Sequence, residues 1–174
     1  MQLATHKNRA DMNLDLGEGA SPDQFEIFEG LGKAEIDRVL DAGVVRSIDR
    51  GKLLFRKGDA GKDMFIIMKG KVQIVDEYDN HKKILAELGP GDFFGEMAMF
   101  EKRHTRSAHA VVREPSRVLV LKENTLNKLI EKKMPKQFLR NIIGVLCHRI
   151  RINNTMYMRA RYCDKTSKDV KWVG

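Results

Sequence analysis

The residues whose types and spacing suit ligand chemistry lie close together, in the segment from Phe94 to Ala110 that reads Phe-Gly-Glu-Met-Ala-Met-Phe-Glu-Lys-Arg-His-Thr-Arg-Ser-Ala-His-Ala. Gly95 lets the backbone pass close to a bulky group, and the acid Glu96 follows directly. The apolar residues from Met97 to Phe100 predict one helical turn, whose unpaired N–H groups and dipole both favour an anion. The segment therefore predicts a small anion-binding site with one carboxylate beside it.

Two donors follow at the end of a charged loop. Arg106 offers a planar fork of N–H groups suited to a phosphate, and the Ser107 hydroxyl adds a further donor. Glu96 cannot help to bind a phosphate, so we expect its carboxylate to accept a hydrogen bond from a sugar hydroxyl. These residues together predict a nucleotide ligand with one compact phosphate and a free ribose hydroxyl. A plain ion pair between Glu96 and Arg106 beneath a surface turn is the alternative interpretation.

The elements that must position this segment are short strands. From Val44 to Leu121 the apolar period is two, and turns rich in glycine and aspartate, such as Asp49-Arg50-Gly51 and Asp79-Asn80, separate the strands. Strands this short and regular predict a mainly β fold, a small antiparallel β-barrel or jelly roll (a β-roll) with flanking helices. The segment described above is its single interruption by non-strand sequence, so a ligand pocket is expected to open there.

Helices are predicted on both sides of the roll. Ser21-Pro22-Asp23 has the composition of a helix start, and a short helix is expected from there to Gly30, followed by a second one from Lys33 to Leu40. After the roll, we predict one helix from Thr125 to Lys133, a break at Pro135, and one long helix from Lys136 to about Tyr162.

Two apolar stripes run along the long helix. One has the alternating four-and-three spacing of a coiled-coil seam, and it consists of Leu139, Ile143, Leu146, Ile150, Asn153 and Tyr157. The other consists of Phe138, Ile142, Val145, Ile152 and Met156, with Arg149 interrupting it. Two stripes predict two partners, the roll and the same helix of a second subunit. Asn153 in the seam favours this homodimer, because a buried Asn pair fixes register. A single wide apolar face on the domain's own core is the alternative.

The order and spacing of Phe94-Gly95-Glu96, Ala98 and Arg106-Ser107-Ala108 closely resemble the phosphate-binding cassette of the cyclic nucleotide-binding domain family. That family includes catabolite activator-type regulators, protein kinase A regulatory subunits and cyclic nucleotide-gated channels, and the loop length here is typical of its bacterial members. The resemblance covers about Phe25 to Asn154. It implies that Arg106 and Ser107 hold the cyclic phosphate and that Glu96 binds the ribose 2′-hydroxyl. The backbone of Gly95, Met97 and Ala98 would line the cradle.

The same resemblance implies contacts to the base. In catabolite activator-like members the long helix supplies polar contacts to the purine, and the matching register here falls on Asn153, Asn154 and Thr155. The strand before the cassette would bring Leu85 and Ala86 against the base as an apolar shelf. Polar helix residues favour cyclic AMP as the ligand, because they can recognise an exocyclic amine, and cyclic GMP remains open.

The distribution of charge and the composition limit the other functions that the chain can have. The segment from Lys132 to Gly174 carries eleven Lys and Arg against two acids, a net charge of +9, whereas the rest carries 21 basic and 22 acidic side chains. Such a basic end can contact nucleic acid, a membrane surface or an acidic partner, or be a solvated helix face with a disordered tail. The sequence shows no signal peptide and no spanning helix, and its two cysteines lie too far apart along one helix to bridge, so we expect the cytoplasm.

No catalytic or metal-binding pattern accompanies the cassette. There is no Ser/His/Asp set, paired carboxylates or Walker-type loop, and the five histidines lack metal-ligand spacing. We therefore expect a receptor domain without enzymatic activity, metal or cofactor, which senses a cyclic nucleotide and signals to partner proteins through its C-terminal helix. The expected layout is a flexible arm over 1–20, the binding domain over 21–162 (helices 22–42, β-roll 44–121, C-terminal helices 123–162) and a basic tail over 163–174.

Two alternatives belong to other classes. The chain resembles the receptor part of a cyclic AMP-dependent transcription regulator, but the residues after Tyr162 are too few for a helix-turn-helix, which makes direct DNA binding by such a domain unexpected. A stand-alone receptor and a fragment of a longer protein are both consistent with this. A nucleic-acid-binding module using the basic C-terminal helix is the other alternative, and it lacks the interleaved aromatic residues that such a module needs.

Overall fold

The structure is a computed structural model that describes residues 21–78, 81–131 and 136–162. Four predictions lie outside these residues: the arm over 1–20, the turn at Asp79-Asn80, the break at Pro135 and the tail over 163–174. Within the described residues no helix is long and apolar enough to cross a membrane.

The centre of the fold is one antiparallel sheet. Its strands are β1 (Val44–Ile48), β2 (Leu53–Phe55), β3 (Asp63–Tyr78), β4 (His81–Leu88), β5 (Phe93–Phe94) and β6 (His109–Lys122). The order β1-β6-β3-β4 forms the main path, with β2 paired to β6 and β5 paired to β3, and the sheet does not close on itself. The prediction of a mainly antiparallel β-roll with flanking helices is confirmed.

The two strands β3 and β6 are longer than the short strands that the sequence predicts, with 16 and 14 residues. The pairing of β3 with β6 shifts register between Ile67 and Val72 instead of ending there. Gly70 makes this possible, because it has a φ of 90° and a side chain there would lie 2.3 Å from Ser116 Oγ. A glycine inside a strand thus marks a bulge with close backbone approach rather than a turn.

Alternation along β3 separates two apolar groups. Met64, Ile66 and Met68 face the helices, while Phe65 and Ile67 face the interior of the roll, because successive side chains of a strand point to opposite sides. The roll-interior group consists of Phe65, Ile67, Val72, Leu88, Phe94, Ala110, Val112, Val118 and Val120. The functional segment is therefore built on a strand pair whose other face is fixed by helices.

The N-terminal part differs from the prediction. In place of one helix up to Gly30 there are two 3₁₀ turns, Pro22–Gln24 and Glu26–Phe28, followed by α1 (Lys33–Ala42). Phe25 sits between the turns in an extended conformation. The Phe28 N–H donates to the Phe25 carbonyl at 2.8 Å, and the rings of these two residues stack and are both buried.

The roll continues directly into α3 (Glu123–Glu131), and α4 (Lys136–Tyr162) follows. The prediction that one stripe of α4 packs along the roll is only half right. Phe138, Ile142 and Val145 are buried, whereas Ile152 and Met156 are 45% and 62% exposed. The helix extends beyond the core, and the described side chains that follow Arg149 are exposed.

The predicted seam of α4 also divides into two kinds of residue. Leu139 and Leu146 pack partly against the domain's own core. Ile143, Ile150 and Tyr157 are between 58% and 59% exposed. These three residues, which we call the exposed seam, leave an apolar line along the outer side of α4.

Candidate functional site

The cassette begins where β5 ends, and Gly95 is the residue that makes the turn. Its φ of 81° is left-handed, and α2 (Glu96–Phe100) starts immediately after it. A side chain at Gly95 would lie 2.7 Å from Arg106 Nη1 and 3.1 Å from the Asp63 carbonyl oxygen. The position therefore needs glycine for its backbone angles and also for the arginine beside it. Ala98 in α2 is 1% exposed and fixes the short helix against the roll.

The charged loop returns Arg106 to this turn as the sequence predicts. The Arg106 backbone N–H donates to the Asp59 carbonyl, and the Gly58 N–H donates to the Arg106 carbonyl, each at 2.9 Å. The Gly61 N–H in turn donates to the His104 carbonyl at 2.8 Å. The residues before β3 thus pair with the residues before β6, and this pairing fixes where the arginine side chain starts.

The Arg106 side chain is 5% exposed and lies across the turn. Its Nη1 donates to the carbonyl oxygens of Asp63 and Gly95, both at 2.8 Å. Its Cζ lies 4.3 Å from the centre of the Phe55 ring, a cation–π distance. Its Nε is buried and has no hydrogen-bond partner among the described residues. The guanidinium is therefore anchored through Nη1, and its Nε–H remains available as a donor.

Burial changes the pKa of both charged groups of the cassette. Burial lowers the pKa of the Arg106 guanidinium, and nearby carboxylates, first that of Asp63, oppose the change. The guanidinium nevertheless stays protonated, because arginine does not lose its proton in proteins. Burial also raises the pKa of the Glu96 carboxyl, whose residue is 6% exposed, while a backbone hydrogen bond and the charge of Arg149 oppose the change. The ionised Glu96 is thus held at a free-energy cost.

Arg149 is a site residue that the sequence analysis missed. Its Nη1 donates to the Phe93 carbonyl at 2.8 Å and lies 4.0 Å from Glu96 Oε1. Its Nη2 is 3.5 Å from Asp92 Oδ1, and its Cζ lies 4.7 Å from the centre of the Phe93 ring. The signal in the sequence was a basic residue interrupting an apolar stripe. Its contact connects α4 to the carboxylate of the cassette.

The other predicted site residues are placed less closely. The Ser107 hydroxyl is exposed and donates to Met97 Sδ at 3.6 Å. On β4, Ala86 packs against the roll-interior group, whereas Leu85 is 50% exposed. Asn153 and Asn154 lie on α4 beyond Arg149 and are exposed. The structure brings Gly95, Glu96, Ala98 and Arg106 together, whereas Leu85 and the two asparagines are exposed side chains of β4 and α4.

A cavity of about 390 Å³ adjoins Arg106 on the side of the residues before β3. Phe55, Gly61, Asp63 and Phe65 line it with the arginine, whereas Glu96 and Ser107 do not. The cavity therefore does not coincide with the space between the two charged groups of the cassette. The donors and the acceptor that suit a nucleotide lie in the cassette and not along this cavity.

Comparison with known proteins agrees with this geometry. The family model of the cyclic nucleotide-binding domain matches residues 45–133. The Cyclic AMP receptor protein of Thermus thermophilus is 32% identical over 126 residues, which are 72% of this chain and 57% of that protein. The cGMP-dependent protein kinase 2 of Homo sapiens is 27% identical over 107 residues, 60% of this chain and 14% of the kinase. The chain thus spans less than two thirds of the length of these relatives.

A solved structure gives the same relationship in three dimensions. The crystal structure of Thermus thermophilus Catabolite Activator Protein superimposes with a TM-score of 0.70 at 29% sequence identity. The match covers 78% of this chain and 63% of that one.

Proposed function

The chain belongs to the cyclic nucleotide-binding domain family, and on that premise we propose that it is a regulatory domain that binds cyclic AMP in preference to cyclic GMP. In this proposal the cyclic phosphate lies against Arg106 and Ser107, and the ribose lies against Glu96. The domain has no catalytic task, and its output passes through α4 to a partner protein.

The observation that carries the proposal is the unpartnered Nε of Arg106. A buried donor without an acceptor costs about 1–3 kcal/mol, and more when the group is charged. The Nη1 side of the same guanidinium is already held by two carbonyl oxygens, so the side chain is oriented before any ligand arrives. A phosphate oxygen that accepts a hydrogen bond from Nε removes this free-energy cost, because the buried donor then forms a charge-assisted hydrogen bond.

Glu96 complements this arginine on the sugar side. Its carboxylate is an acceptor for a ribose hydroxyl, and its burial means that few water molecules compete for it. The raised pKa shows that the ionised form is destabilised in the ligand-free domain. A donor from the ribose stabilises that ionised form, and part of the ligand's affinity comes from this relief.

Arg149 gives the proposal a route from ligand to output. The arginine on α4 and the ribose hydroxyl both use the carboxylate of Glu96, so the ligand changes what α4 is docked against. A ligand shifts a conformational equilibrium only through its different affinities for the two states, and a typical coupling is about 1–3 kcal/mol. In the ligand-bound state the half of α4 beyond Arg149 moves over the pocket, where Asn153 and Asn154 reach the purine amine.

A second copy of this chain is the partner that we propose for the outer side of α4. Ile143, Ile150 and Tyr157 of the exposed seam follow one another at intervals of about two helical turns on one line. Burying this line against its symmetry mate gives a two-helix contact, in which the two ligand pockets communicate.

The experiment that tests the proposed ligand combines an atom deletion in the ligand with one in the protein. Binding of cyclic AMP, cyclic GMP and 2′-deoxy cyclic AMP is measured by calorimetry for the wild-type protein and for Glu96→Gln. We expect the wild type to prefer cyclic AMP and to bind the 2′-deoxy ligand about tenfold or more weakly, the loss of one hydrogen bond to a charged group. Glu96→Gln should then bind both adenine ligands almost equally. A wild-type protein that binds cyclic AMP and 2′-deoxy cyclic AMP with equal affinity contradicts the assignment of Glu96.

A further inference from the structure

Gly61 lies directly against the guanidinium of Arg106. A side chain at Gly61 would place its Cβ 2.1 Å from Nε, 2.3 Å from Cζ and 2.5 Å from Nη2 of that arginine. Real Cβ atoms essentially never come within 3.0 Å of another heavy atom. Gly61 is not among the glycines with positive φ, so its backbone angles do not require glycine. What requires glycine at this position is the space that the arginine occupies.

Several contacts hold the guanidinium of Arg106 in its place beside Gly61. Its Nη1 is held by the carbonyl oxygens of Asp63 and Gly95, and its Cζ lies over the Phe55 ring. Gly95 borders it at Nη1, where a side chain would come within 2.7 Å. The guanidinium is thus confined by two glycines that are 34 residues apart in sequence. Gly61 borders the Nε–Nη2 side, which includes the unpartnered donor.

We propose that Gly61 is a positioning residue for phosphate binding, whose missing side chain sets where Arg106 presents Nε and Nη2 to the ligand. The proposal rests on the proposed function, since it concerns the same arginine. In Gly61→Ala the methyl group displaces the guanidinium from its carbonyl anchors, or it moves the segment from Gly58 to Gly61 away from the loop that carries the arginine. Either change removes the orientation that precedes ligand binding.

Gly89 offers a matched control. Like Gly61, it lies in a connection between two strands and is absent from the glycines with positive φ, and a side chain there meets no atom within 4 Å. Gly89→Ala therefore makes the same chemical change without touching the cassette. Any effect that is common to both variants belongs to the loss of a glycine and not to the arginine.

The test is a double-mutant cycle between Gly61→Ala and Arg106→Leu, with affinity for cyclic AMP and ligand-free thermal unfolding as the two readouts. We expect Gly61→Ala to bind cyclic AMP about tenfold or more weakly, the scale of one lost charge-assisted hydrogen bond, and Gly89→Ala to bind within about twofold of wild type. We also expect Gly61→Ala to lower the unfolding temperature in the wild-type background only. In the Arg106→Leu background the alanine has no guanidinium to displace, so neither readout should fall further.

Two outcomes overturn the proposal. One is a Gly61→Ala protein that binds cyclic AMP as wild type does. The other is an unfolding temperature that falls equally in both backgrounds, because Gly61 would then act on the fold and not through Arg106. Arg106→Met replaces Arg106→Leu in the cycle if the leucine variant does not fold. The wild-type and Arg106 measurements test the proposed ligand site by themselves, so a failure there is distinguishable from a failure at Gly61.

Discussion

Replacing Arg149 with methionine should weaken the contact between α4 and the cassette. Methionine keeps an unbranched apolar side chain over the Phe93 ring and removes only the charge and the donors. The lost contacts are the hydrogen bond to the Phe93 carbonyl at 2.8 Å, the ion pairs and the cation–π contact. The substitution therefore removes the polar and charged contacts of this position of α4 and keeps its apolar packing.

The expected loss of stability can be worked out from those contacts. A hydrogen bond from a charged group contributes about 1.5–3 kcal/mol, and a cation–π contact at a partly exposed site contributes about 0.5–1 kcal/mol. The ion pair with Asp92, whose side chain is 42% exposed, adds little. We expect the free energy of unfolding to fall by about 2–4 kcal/mol, which for a chain of this size lowers the unfolding temperature by roughly 5–15 °C.

Thermal unfolding and hydrogen exchange measure this effect, and Arg151→Met is the matched control. Arg151 is exposed, lies two residues further along the same helix, and carries the same charge. Its replacement should change the free energy of unfolding by no more than about 0.5 kcal/mol. Arg149→Met should also lose exchange protection in the helix beyond Arg149. If the two methionine variants unfold alike, Arg149 does not hold α4 to the cassette.

Two further predictions concern pH and assembly. Burial raises the pKa of Glu96 in the native ligand-free domain above its pKa in the unfolded chain. At pH values between these two pKa values the native domain binds more protons than the unfolded chain, so the free energy of unfolding falls as the pH rises through this range. Glu96→Gln should lack this loss, so we expect it to be more stable than wild type at neutral pH and equally stable at acid pH. Denaturant titrations of both proteins over this pH range measure the difference, and a difference that does not change with pH would refute the prediction. If the exposed seam joins two subunits, Ile143→Glu with Ile150→Glu should yield folded monomers by light scattering, whereas a wild-type protein that is monomeric at high concentration excludes the seam.

The local parts of the site were predictable from the sequence. The glycine that starts the cassette, the acid after it and the buried alanine follow one another in the chain, so their geometry depends on a single turn. Arg106 and its loop are close enough in sequence to belong to the same pattern. The roll itself followed from strand period and turn composition, which act over a few residues at a time.

What the sequence did not reveal depends on contacts between distant residues. Arg149 meets Glu96 from 53 positions away, and Gly61 meets Arg106 from 45 positions away. Periodicity also does not show where a core ends, which is why the stripe on α4 was predicted to pack as far as Met156. The length of β3 is a further example, because pairing with the distant strand β6 on both sides of Gly70 keeps this glycine inside one strand.

The most direct test of the central claim is a calorimetric titration of cyclic AMP into the wild-type protein and into Arg106→Leu. We expect about one bound ligand per chain for the wild type. In Arg106→Leu the affinity should fall by about 2–5 kcal/mol, which is roughly one and a half to nearly four decades, because the phosphate is left buried without its countercharge. Circular dichroism checks that the variant is folded. A folded Arg106→Leu protein that binds cyclic AMP with wild-type affinity would contradict the account, and so would a wild-type protein that binds neither cyclic AMP nor cyclic GMP.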